Sequence, residues 1–208
     1  MAGIDQEMID DLAQKALTDE KLLMSLIADI SPEKKRMAQR ESSSKALQQI
    51  SQTHPETIYS QWDIFVSYLS GDNAFSKFPV VYILANLTRI DGEKKFEKTL
   101  DTYFNLLNDE SVAISSHVAI NSPKIISAKP DLEPKITGKL LGIDATDHTP
   151  IHKALIKSHI IEAFDKYFDM SGKKGEIVEF VMYQLDSASA KTKTAAKKFL
   201  KSRNLPLK

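Results

Sequence analysis

The sequence predicts an all-α protein assembled as a row of helix pairs. Two observations carry that prediction: a helical stripe that recurs about every 40 residues, and a shortage of strand signals. In 58–69 the apolar residues Ile58, Trp62, Phe65, Val66 and Leu69 follow one another at steps of four, three, one and three. On a helix of 3.6 residues per turn they form one face. Equivalent faces read Leu23, Leu26, Ile27 and Ile30, then Phe96, Leu100, Tyr103, Phe104 and Leu107, then Leu132, Ile136, Leu140 and Ile143, then Val178, Val181, Met182 and Leu185, at intervals of 36 to 42 residues. Each such face can be hidden by a copy of itself in the next unit, which is the mark of a repeat array. No run alternates apolar and polar residues between turn signals, so almost no β-structure is expected.

Each element has its own start and stop. Ile4, Met8, Leu12 and Ala16 open a helix over 4–17, and Thr18-Asp19-Glu20 caps a second over 19–30. Ser31-Pro32-Glu33 supplies a capping side chain, a proline suited to a first helical turn and an acid near the positive end of the dipole, for a helix over 33–52. The break Thr53-His54-Pro55-Glu56 leads into 55–69, and Ser70-Gly71-Asp72-Asn73 into 74–89. Further breaks at 89–92, 108–110, 129–131, 144–147, 170–175 and 186–187 place helices over 93–107, 111–128, 131–142, 147–169, 173–186 and 189–203. That makes eleven. Pro79 and Pro123 fall inside two of them, and each either kinks its helix or marks a further boundary.

This pattern of a helix pair per unit, Asp or Asn at the turn between units and Pro-Glu opening the second helix resembles the HEAT and armadillo-like families. The segment Ser44-Lys-Ala-Leu-Gln-Gln-Ile-Ser-Gln-Thr-His-Pro-Glu-Thr-Ile58 is most similar. The resemblance implies a right-handed α-solenoid of about five HEAT-like helix pairs with a terminal capping helix. It also implies a concave face, lined by the second helices and used mostly for protein binding.

Composition narrows the possibilities. A chain of 208 residues is long for one closed core and ordinary for one short array, so a single domain over 1–208 is expected. Apolar content of 42% with 27% charged residues is that of a folded soluble protein. The absence of cysteine excludes disulfides, thiolate metal sites and a cysteine nucleophile. The most apolar run, 78–87, is far shorter than the ~20 residues of a membrane span, and 1–11 is acidic and unlike a secretory leader. A cytoplasmic protein without membrane contact is expected.

Catalytic chemistry is sparse. His148 and His152, four apart, have the spacing of two helical metal ligands, but Thr149 and Pro150 stand where a zinc protease needs its glutamate, so a cap or loop is expected there. Ser171 to Gly175 lacks the phosphate-loop spacing and reads as a helix-to-helix turn. No enzyme activity, cofactor or metal is expected.

Two surfaces remain. Ile64 and Tyr68 lie off the main stripe, as do Leu106 and Phe180 in later units. They either pack on a neighbouring repeat or form an apolar strip for a protein partner, and a scaffold or adaptor using that strip is the expected function. The alternative partner is nucleic acid. Net charge is zero, yet 187–208 holds Lys191, Lys193, Lys197, Lys198, Lys201, Arg203 and Lys208 with no acid, whereas 1–30 has seven acids and two lysines. Lys191, Lys197, Lys198 and Lys201 would be left in water by an inner face of Ala188, Thr192, Ala195, Ala196, Phe199 and Leu200. That makes a solvated outer side, or a basic patch like those of phosphate-binding proteins. The chain resembles HEAT-type DNA glycosylases in fold only, because its second helices carry mixed charge and Trp62 occupies a core slot.

Overall fold

The computed structural model describes residues 6–33 and 37–207. Among these, regular structure is entirely helical, with twelve α-helices and six short 3-10 helices. Ile4, Lys208 and residues 34–36 of the helix expected over 33–52 lie outside the described residues. The α-helices are α1 (Gln6–Ala16), α2 (Glu20–Asp29), α3 (Met37–Thr53), α4 (Glu56–Tyr59), α5 (Trp62–Ser67), α6 (Ala74–Leu87), α7 (Lys95–Asn105), α8 (Val112–Ala128), α9 (Glu133–Leu141), α10 (Pro150–Tyr167), α11 (Lys174–Tyr183) and α12 (Ala190–Ser202). No described helix is long and apolar enough to cross a membrane.

Local chemistry explains most boundaries. Asp19, Asn73, Thr149 and Ser189 each accept a backbone N–H from the first turn of the helix that follows. Asp91 starts α7 through both carboxylate oxygens, which accept from Lys95 N at 2.8 Å and Phe96 N at 2.9 Å. The helix expected over 55–69 is two, because Gln61 leaves the α region at φ −91°, ψ 13°. Four of the five stripe residues stay in the core across that break, with Ile58, Trp62, Phe65 and Leu69 buried and Val66 half-buried. Neither internal proline marks a boundary, since α6 and α8 run straight through Pro79 and Pro123. At Pro123, which has no N–H to give to Ala119, the Ser122 hydroxyl donates to that carbonyl at 2.8 Å.

The chain forms two compact units, Met1–Thr99 and Leu100–Lys208. In the first, α3 packs on both α1 and α6, with α2 against α1 and α3 and α5 against α6. In the second, α10 packs on both α8 and α12, while α11 touches α9 and α12. Burial tracks this arrangement. Ten of the fourteen residues of α6 are buried, and the buried residues of α12 are Thr192, Ala196, Phe199 and Leu200.

Polar contacts join elements at a common interval. Trp62 Nε1 donates to Thr99 Oγ1 across 37 residues, and Asn86 Nδ2 to Ser51 Oγ across 35. In the second unit Asn108 exchanges hydrogen bonds with Asp147 across 39 residues. The Thr192 hydroxyl donates to the Ala154 carbonyl across 38, as does the Ser171 hydroxyl to Glu133.

Candidate functional site

The four residues expected to form a partner strip do not share one environment. In the first unit Ile64 and Tyr68 are half-buried, and burial, then Glu33, raises the Tyr68 proton affinity. In the second unit Leu106 and Phe180 are buried, at 7% and 9% exposure. Phe180 meets the Phe164 ring edge-on at 5.7 Å between centroids, with Lys157 Nζ 5.8 Å from its own centroid. Neither Leu106 nor Phe180 is available to a partner. The accessible apolar residues of α11 are others. Val178 and Met182, expected in the core, are half-buried, and Tyr183 is 72% exposed. Together with Gly175, Glu179 and Asp186 they line a shallow groove of about 520 Å³. Among its lining residues are two acids and no base.

Lys191, Lys197, Lys198 and Lys201 are all exposed on α12. The fold brings Lys191 and Lys198 to a second groove, of about 560 Å³, which α12 shares with Glu162, Asp165 and Lys166 of α10. Lys197 and Lys201 are not among the lining residues. Both acids are already engaged. Asp165 pairs with Arg203 at 2.6 Å, whose guanidinium lies 4.0 Å from the Phe199 ring centroid. His159 Nδ1 meets Glu162 Oε2 at 3.2 Å while its Nε2 faces Lys191 Nζ at 3.1 Å. A neutral imidazole satisfies both contacts, donating to Glu162 and accepting from Lys191. Burial and then Lys191 lower the proton affinity of His159 against the opposing pull of Glu162. Burial and then His159 lower that of His117.

The histidine pair has a structural explanation. Thr149 caps α10, and Pro150 opens its first turn. His148 Nε2 lies 3.0 Å from Ser115 Oγ and 3.1 Å from the Leu107 carbonyl, which ties the loop to the start of α8 and the residues before it. Among the described residues no group of three His, Cys, Asp or Glu side chains could hold a metal. Ser171 is likewise a turn residue, donating to the buried Glu133 at 2.5 Å. Glu133 also accepts from Thr137 Oγ1 at 2.7 Å and Gly172 N at 3.3 Å. Three donors satisfy this carboxylate inside the fold.

No family model, curated protein or solved structure matches the chain.

Proposed function

We propose that this chain is a non-enzymatic α-solenoid of HEAT-like helix pairs that acts as an adaptor, holding a protein partner on the surface of its second helices. The interval of its polar contacts carries the reading. Bonds spanning 35 to 39 residues join helices one sequence period apart, as expected where each repeat touches its neighbours in the row. The order of packing supports it too, with α1, α3 and α6 in succession in one unit and α8, α10 and α12 in the other.

For the partner surface the α11 groove is the best-supported site. Tyr183 offers an aromatic anchor with a polar tip, and Met182 a side chain that adapts to irregular shapes. Glu179 and Asp186 at the groove favour a partner segment that is apolar on one side and basic on the other, such as an amphipathic helix. A photo-crosslinking amino acid at position 183 tests this. The expected result is capture of a protein through a basic amphipathic segment, lost on Met182→Asp and absent when the crosslinker stands at Lys45. Equal capture from both positions, or capture through an acidic segment, would contradict the reading.

A further inference from the structure

The grooves at α11 and α12 have opposite character. At the α11 groove Tyr183 is 72% exposed, and the exposed acids Glu179 and Asp186 flank it, four residues before and three after. At the groove between α10 and α12, both sizes and charges are reversed. There α12 presents the short side chains of Thr194 and Ala195 between the exposed Lys191 and Lys198. Lys166 of α10 adds a third base to the lining. The two acids of that groove are engaged, Glu162 by His159 and Asp165 by Arg203. Three lysines therefore set its charge.

We infer, resting on the docking role proposed for the α11 groove, that its partner is a second copy of this chain, seated through the groove between α10 and α12. The α11 groove calls for a segment that is apolar on one side and basic on the other. The chain's own α12 meets that description where it faces α10, with Ala195 and the buried Phe199 beside Lys191 and Lys198. Spacing agrees along the two helices. Lys191 and Lys198 are seven residues apart on an α-helix, about 10 Å at a rise of about 1.5 Å. Glu179 and Asp186 are also seven apart, about 12 Å, because the last steps lie in the 3-10 helix Gln184–Asp186 with its rise of about 2 Å. Flexible lysine stems take up the difference. Whichever way α11 of one copy runs along α12 of the other, each acid meets a lysine and Tyr183 falls at Thr194 or Ala195. An aromatic ring with a polar tip then enters a groove whose α12 side is made of short side chains, and its exposed surface leaves water. Zero net charge spares the two copies long-range repulsion.

Sedimentation velocity of the full chain at about 10 to 200 μM, a range suited to a small transient interface, tests the inference. Self-association is expected at about 50 mM salt and should weaken at about 500 mM, because the charge pairs are screened. Glu179→Lys with Asp186→Lys should weaken it about tenfold or more, as should Lys191→Glu with Lys198→Glu. All four changes in one chain keep the wild-type net charge while reversing each pair, and should bring association back to within about threefold of wild type. Lys193→Glu with Lys197→Glu, on α12 but outside the groove, should change it by less than about threefold. Thermal melts confirm that the variants are folded. If a charge variant melts early, Tyr183→Ala, at a residue largely in water, should still weaken association about tenfold. A photo-crosslinker at position 183 of the purified chain should give a covalent dimer joined within 190–199. A monomer at every concentration, an equal loss from the Lys193 and Lys197 changes, or a four-fold variant that stays dissociated would each overturn the inference. If the purified chain stays monomeric while the crosslinker captures a different protein through a basic segment in a lysate, the second copy is the wrong partner and the docking role of α11 stands. Capture of nothing in either setting would overturn both.

Discussion

Helices α11 and α12 follow one another and pack together, and each buries an apolar face, Ile177, Phe180 and Val181 on one and Ala196, Phe199 and Leu200 on the other. Their exposed sides have opposite chemistry. α11 presents Val178, Met182 and Tyr183 beside two acids, whereas α12 presents lysines at 191, 193, 197, 198 and 201. The buried faces serve the same purpose, which is to pack each helix against its neighbours. The outward faces are under no such constraint. Outward residues can therefore differ without any change to the core, and function has to be sought among them.

The sharpest break of this comparison lies within α11 itself. Phe180→Ala should cost about 3–5 kcal/mol in chemical denaturation, because it empties the space against Phe164. Tyr183→Ala, three residues on and largely in water, should stay within about 0.5 kcal/mol. Equal effects would mean that the two sides of α11 have been misassigned. On α12, Thr192→Val keeps the shape but removes the donor to the Ala154 carbonyl, and a loss of about 1 kcal/mol is expected. Lys198→Ala should be almost silent in stability.

A smaller effect should appear with pH. His117 and His159 both have proton affinities below the ordinary value of 6.5 in the folded chain. The unfolded chain therefore takes up protons first as pH falls through that value, and stability declines below about pH 6.5 while remaining level above it. Denaturation midpoints between pH 7.5 and 5 should show this decline, and His117→Gln with His159→Gln should flatten it.

Helices and their caps were legible because both are local. Asp19, Asn73 and Pro150 announce starts within a single turn, and Ile58, Trp62, Phe65 and Leu69 leave one choice of inward face. α11 offered no such choice. Ile177, Val178, Phe180, Val181, Met182 and Tyr183 are apolar or aromatic around most of its circumference. Phe164, on α10, decides which of them turns inward. Periodicity cannot see that contact. The lysines of α12 stood out as a run without acids, and those at 191, 193, 197, 198 and 201 are all exposed.

The proposed solenoid requires residues one repeat apart to be neighbours, and the lack of native cysteine allows a direct test of that. A chain carrying Asn108→Cys and Asp147→Cys, a pair whose side chains are 2.7 Å apart, should close an intramolecular disulfide under mild oxidation, seen as a faster band on a non-reducing gel. A pair two repeats apart, Asn108→Cys with Asp186→Cys, should stay reduced. Failure of the first pair to close, or closure of the second, would contradict the stacking of neighbouring repeats.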